Sequence, residues 1–222
     1  MASNVTYEYI HRNPDIMEYI RRSDKALEAI GYTEHSFAHV EKTAHTAAMI
    51  LRELGYPERE TELAMIAGFL HDIGNVINRT DHAQSGAVMA FRLLDRLNMP
   101  ASEICSIISA IGNHDEKTAQ PVDAISAALI IADKTDVRRS RVRNTTLTSF
   151  DIHDRVNYAV TSAKLSVSED KKSFILELTI DTEISSVLEY FEIFMERMLL
   201  CKRAAQFFGL SFRIYMNGNT VL

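Results

Sequence analysis

Cysteine is scarce in this chain, with two in 222 residues, Cys105 and Cys201, and no CxxC pair. That excludes a disulfide framework and a thiolate zinc site. Each cysteine lies in a helix-like apolar stretch and reads as a buried thiol in a reducing compartment. Long apolar runs are also missing. None approaches the roughly 20 residues that a membrane span needs. The first ten residues lack a basic start followed by an apolar core, so they do not read as a secretory signal. A soluble, cytoplasmic protein is expected. There is no large basic block, and the formal net charge is -6. A general nucleic-acid-binding surface is therefore not expected, although the local cluster Arg138, Arg139, Arg141 and Arg143 needs an explanation. Repeats and low-complexity tracts are absent.

Apolar residues make up 46% of the chain, which points to a globular fold. The length suits one domain with a full core, or one domain with a small appendage. Residues up to about 140 read as successive helices. Pro14 opens one, with Ile16, Met17, Ile20, Leu27 and Ile30 following, and Gly31 stops it. A second runs from about Ser36 to Leu54 and a third from about Glu58 to Ile73, stopped by Gly74. Asn75 to Arg79 reads as loop. Helices follow over His82–Leu97, over a segment capped by Ser102 that ends near Gly112, and over Val122–Asp136.

The periodicity changes after about Ser149. Alternating residues over Ala163–Val167 and Ser173–Ile180, joined by the polar Ser168–Lys172, predict a β-hairpin. A long amphipathic helix over about Ile184–Phe208 and a third strand over Ser211–Met216 complete a ββαβ appendage. The expected fold is mainly α, a helical bundle over residues 1–148, with a small α+β subdomain over 149–222. The long helix carries more apolar residues than one small sheet can cover, among them Leu188, Phe191, Phe194, Met195, Met198 and Leu199. A homodimer is expected from that surplus.

The pair His71-Asp72 ends the apolar run Leu63–Leu70. An ionised carboxylate at the end of a buried helix needs a partner charge or a metal. His39 upstream and His82, His114 and Asp133 downstream are further candidate ligands, each at a terminus or interior face of a helix. Bundles build metal sites from such facing side chains. Imidazole and carboxylate together suit a divalent transition metal, namely Fe, Mn, Co, Ni or Zn.

The segments His39-Val40-Glu41-Lys42, Phe69-Leu70-His71-Asp72-Ile73-Gly74, His82-Ala83-Gln84-Ser85-Gly86-Ala87, Gly112-Asn113-His114-Asp115-Glu116 and Ile131-Ala132-Asp133-Lys134 occur in that order. This order resembles the HD superfamily of metal-dependent phosphohydrolases, over about residues 35 to 145. The resemblance implies a helical HD-type domain and one or two divalent ions, with Mg also admitted. It implies His39, His71, Asp72 and Asp133 around a first metal. His82 and His114 would complete a second, with Asp72 bridging. Asp72, Lys42 and Lys134 are then the candidate catalytic residues. Arg138, Arg139, Arg141, Arg143 and Asn75 are the candidate phosphate-binding residues, since guanidinium groups bind phosphate bidentately. Asp136 is a candidate to orient an arginine or a ligand histidine.

Many family members have lysine where this chain has Asn75. Either another cation supplies that charge, or catalysis is weaker, or the substrate differs. His11, His35, His45 and His153 match no motif position and read as surface or structural, with an auxiliary role open to His35. Solvent exposure is the expectation for Asp115 and Glu116, with support of the neighbouring His114 as the alternative. The implied activity is hydrolysis of a phosphoester or phosphoanhydride bond in a small, nucleotide-like substrate by a metal-activated hydroxide. The rival readings are a non-catalytic metal- or nucleotide-binding regulator and a di-iron oxygenase of the same superfamily.

Overall fold

The computed structural model describes residues 5–143 and 150–221. The chain divides into two compact units, Met1–Asp133 and Lys134–Leu222. The expected boundary after residue 148 falls outside the described residues.

The first unit is helical: α1 Tyr7–His11, α2 Pro14–Ala29, α3 Phe37–Glu53, α4 Glu58–Leu70, α5 His82–Arg96, α6 Ala101–Gly112 and α7 Ala124–Lys134. Polar side chains open several of them. Asn13 accepts from the amides of Asp15 and Ile16 at the start of α2, and Ser36 accepts from Ala38 at the start of α3. At the start of α7 the Asp123 carboxylate accepts from the Ser126 amide, and the Ser126 hydroxyl accepts from the amide of Asp123. Ser102 does not cap α6 as expected. The cap position is Pro100, and Ser102 lies inside the first turn.

Helices α3 and α4 pack tightly because Gly68 faces Ala44. A Cβ at position 68 would lie 2.7 Å from Ala44 Cα. Val40, Ala44, Ala47, Ala48 and Leu51 of α3 and Ile66, Phe69 and Leu70 of α4 are buried. Each of the larger side chains stabilises the unit by about 1.5–3 kcal/mol through burial.

Helix α4 ends earlier than expected, at Leu70. His71 and Asp72 form a turn, and Ile73–Val76 is a short 3-10 helix rather than loop. Gly74 lies inside it and is not a left-handed stop. Its role is close approach, because a Cβ there would lie 2.0 Å from the His82 carbonyl oxygen and 2.5 Å from the Gly86 amide. The start of α5 is thereby pressed onto the residues that follow His71-Asp72.

The second unit is α+β, with α8 Ile152–Ala159, β1 Val160–Val167, β2 Ser173–Ile180, α9 Val187–Phe207, β3 Ser211–Met216 and β4 Asn219–Thr220. The sheet order is β1-β2-β3-β4. The hairpin β1–β2 is antiparallel, as its alternation predicts. β2 and β3 are parallel, with α9 as the crossover that a parallel pair requires. Ser186 and Glu189 form a capping box at the start of α9. Phe174, Leu176, Leu178, Ile180, Phe212, Ile214 and Met216 are buried.

The expected ββαβ core is therefore present, extended by α8 and β4. α1, α8 and β4 are too short to show a period in the sequence. Cys201 is buried as expected, but Cys105 is exposed on α6. Among the described residues no helix is long and apolar enough to cross a membrane.

Candidate metal centre

His39 projects from the buried face of α3, and His71 and Asp72 from the turn after α4. His82 begins α5, His114 follows α6, and Asp133 lies at the end of α7. The fold brings all six together. Three overlapping groups each hold their donor atoms within 4.8 Å of one another: His39, His71 and Asp72; His71, His114 and Asp133; and Asp72, His82 and His114. Asp72 is shared by the first and third groups. His39 Nε2 lies 3.3 Å from Asp133 Oδ1 and 3.7 Å from Asp72 Oδ2. His71 Nε2 lies 3.3 Å from Asp72 Oδ2. His82 Nε2 lies 3.5 Å, and His114 Nε2 4.0 Å, from Asp72 Oδ1. All four histidines and Asp72 are buried.

The protonation of three imidazoles follows from their backbone partners. His71 Nδ1 is 2.7 Å from the Gly68 carbonyl, His82 Nδ1 is 3.1 Å from that of Arg79, and His114 Nδ1 is 2.6 Å from that of Ile111. In each case the carbonyl lies three residues earlier. For His71 and His114 it is one of the carbonyls that a helix C-terminus leaves without an intrahelical partner. A carbonyl only accepts, so Nδ1 is the donor and Nε2 of the neutral ring presents its lone pair to the cluster. His71 Nε2 is buried and makes no hydrogen bond.

Lone pairs and carboxylate oxygens thus face one another in a buried pocket. That arrangement is repulsive without positive charge among them. The donor set fits a divalent cation, two or three imidazole nitrogens with a carboxylate oxygen, with the outer nitrogens oriented by hydrogen bonds.

The electrostatics agree. Burial opposes ionisation of Asp72, but the neighbouring His71, His35 and His82 hold its carboxyl well below the usual carboxylate range. Burial likewise opposes the His71 imidazolium. The charges of Asp72 and Asp133 outweigh burial and raise His71. The cluster favours positive charge on its nitrogen side.

Residues 36–139 match the family model of the HD domain. The chain carries an HD domain. Among solved structures, the chain is similar to that of a predicted HD superfamily hydrolase from an uncultured Thermotogales bacterium. The two are 24% identical, over 59% of this chain and 73% of the other, with a TM-score of 0.43. No curated protein matches the chain.

Three further residues adjoin the site: Arg79, which was not expected there, and His35 and Asp115, for each of which an auxiliary role was open. Arg79 Nη1 lies 3.3 Å from His82 Nε2 and 3.9 Å from Asp72 Oδ1. His35 Nδ1 is 2.7 Å from the Thr33 carbonyl, and its Nε2 is 4.0 Å from Asp72 Oδ2. Its position one turn before His39 was the available signal. Asp115 is not a solvent-facing bystander, since its Oδ1 lies 4.0 Å from His82 Nδ1. Asn75 is buried, and its Nδ2 donates to the Asp72 backbone carbonyl and to Asp72 Oδ1, both at 2.9 Å.

The arginine cluster belongs to the second unit and is engaged in that unit's own fold. Arg138 Nε donates to Asp136 Oδ1 at 3.0 Å, and Arg138 Nη1 donates to Ser140 Oγ at 2.6 Å. Arg141 Nη1 donates to the Asp136 carbonyl at 2.8 Å. Asp136 therefore orients two arginines, from a buried position rather than a surface one. Arg139 donates to the Tyr158 carbonyl at 2.6 Å, pairs with Asp181 at 3.3 Å and lies over the Tyr158 ring. Arg143 is half-buried. Lys42 is half-buried on α3, and Lys134 is buried at the end of α7.

Proposed function

We propose that this protein is a metal-dependent phosphohydrolase that cleaves a phosphoester or phosphoanhydride bond of a small, nucleotide-like substrate. The observation that carries this reading is the convergence of three Nε2 lone pairs, each held by an Nδ1–H to a backbone carbonyl, on Asp72 and Asp133. His39, His71, Asp72 and Asp133 would hold one ion; Asp72, His82 and His114 would hold another. Fe, Mn, Co, Ni or Zn suits these donors. A bound divalent cation supplies a Lewis acid and brings the pKa of a coordinated water toward neutrality.

The chain's own residues do the rest. The i−3 carbonyls fix the imidazole rings, so no reorganisation is needed when charge develops. Asn75 fixes Asp72 by donating to its backbone carbonyl and to Oδ1. The buried walls of α3, α4 and α6 lower the local dielectric, which strengthens each charge interaction in the site. Lys42, one turn along α3 from His39, and Lys134, next to Asp133 in the chain, remain the candidate lysines for neutralising substrate charge.

The test is phosphate release from a panel of nucleotides by Mn2+-loaded protein, set against the Asp72→Ala variant. Release by the wild type with loss of at least about a hundredfold in the variant is expected. Equal rates in the two would reject the reading.

A further inference from the structure

Position 75, directly after Gly74 in the short 3-10 helix that follows Asp72, is asparagine and brings no cation to the site. Asn75 is committed elsewhere. Its Nδ2 donates to two acceptors of Asp72, which leaves Oδ1 as the atom facing Arg79 Nη1 at 3.3 Å. The amide orientation follows from the acceptors, because a carboxylate and a carbonyl cannot donate. Arg79 Nη1 is also 3.3 Å from His82 Nε2.

The same guanidinium lies over the ring of Tyr32, with Cζ 5.5 Å from the centroid. Tyr32 is itself 43% exposed. The Arg79 side chain is 25% exposed, in contrast to the buried ligands. Every interaction of the guanidinium with polar atoms runs through Nη1. Its Nε and Nη2 have no hydrogen-bond partner among the described residues. These two nitrogens share one edge of the planar group, the edge that takes two oxygens of a phosphate at once. Arg138, Arg139 and Arg141 are by contrast engaged with Asp136, Ser140, Tyr158 and Asp181.

We propose that Arg79, held by Asn75 and Tyr32, is the residue that grips the substrate's phosphoryl oxygens and supplies the positive charge that Asn75 does not. This deepens the phosphohydrolase reading above and rests on it. Asn at 75 and Arg at 79 form one device. A lysine at 75 would remove the acceptor that aims Arg79, and the asparagine alone would leave the site without a mobile cation. The ligand class is an oxyanion with at least two non-bridging oxygens on phosphorus.

The experiment is titration of inorganic phosphate into Mn2+-loaded protein by calorimetry, for wild type, Arg79→Ala and Arg79→Lys. Arg79→Ala should weaken phosphate binding by about tenfold or more, and Arg79→Lys should fall between, since an ammonium keeps charge but not the fork. Manganese content and the thermal midpoint should stay at wild-type values in both. Phosphate affinity unchanged in Arg79→Ala overturns the proposal. So does absence of phosphate binding by the wild type, or loss of manganese in parallel with phosphate affinity. Nucleotide hydrolysis by the same wild-type preparation separates the two failures. Turnover with an unmoved phosphate affinity removes Arg79 and leaves the phosphohydrolase standing, whereas no turnover removes both.

Discussion

His82 Nε2 and His114 Nε2 lie 3.2 Å apart, while the Nδ1 atom of each ring is turned to a backbone carbonyl. Two lone pairs at hydrogen-bond distance attract only if a proton or a metal ion lies between them. The protein should therefore be stabilised by divalent cations. At a free metal concentration a hundred times the dissociation constant, the gain is about 2.7 kcal/mol. Thermal unfolding with Mn2+ and with EDTA measures it, and coincident curves would contradict it.

The metal-free protein should have a characteristic pH profile. Asp72 titrates well below its ordinary value. Its contribution to stability is complete above the unfolded carboxylate pKa and is lost as pH falls through the folded one. His71 is raised. Its contribution is complete below the unfolded imidazole pKa and is lost as pH rises through the folded one. Both are present together between about pH 4 and 6.5. Urea unfolding of EDTA-treated protein should peak in that window, and Asp72→Asn should flatten the peak. With metal bound, the maximum should move upward, because ligation requires neutral imidazole.

Gly74→Ala should damage the site from outside it. The added methyl meets the backbone of His82 and Gly86, which no rotamer change can relieve. We expect a loss of about 1–3 kcal/mol on the scale of overpacked cores, together with reduced metal content as α5 and His82 shift. Denaturant unfolding and metal analysis of the variant would report both. A variant with wild-type stability and full metal would show that α5 gives way freely.

Tyr7 offers a change in the opposite direction. Its hydroxyl is buried with no hydrogen-bond partner, and its ring packs edge-on against Phe69 with centroids 5.7 Å apart. Burial, with the charges of Glu41 and Glu8, pushes its pKa up to about 12. Stability from this group is complete below the unfolded value near 10 and declines as pH rises toward 12. Tyr7→Phe should raise stability at neutral pH by about 1 kcal/mol and delay alkaline unfolding. Lower stability of the variant at pH 7 would refute the assignment.

Leu188, Met195 and Leu199 on α9 are 77%, 45% and 50% exposed. Exposed apolar side chains at helical spacing favour a self-complementary interface, so a homodimer is expected. Light scattering should give twice the 25.1 kDa chain mass at micromolar concentration, and Leu199→Glu should return it to the monomer. A monomeric wild type would count against the dimer.

Much of the candidate site was legible in the sequence because its candidate ligands sit where helix periodicity is interrupted. His71-Asp72 closes the apolar run of α4, His82 opens α5, and His114 follows the glycine that ends α6. Strict alternation likewise marked β2 and β3. Arg79, Asp115 and Gly74 were not readable in this way. Arg79 stands in a stretch with no period, and nothing local says that its side chain turns back to His82. The arginines after Asp133 read as a phosphate clamp because they follow a ligand. Their partners Asp136, Tyr158 and Asp181 lie up to 42 residues along the chain.

The order of residues by itself determined the helical body, the α+β tail and which six side chains are candidate ligands. Periodicity and helix ends are local properties, and the chemistry of a side chain does not depend on where it folds. Only the tertiary structure decided which lone pair each histidine offers and which cation stands beside Asp72. Those depend on a carbonyl, a ring or a carboxylate brought within about 3 Å, and that distance exists only after the helices have packed.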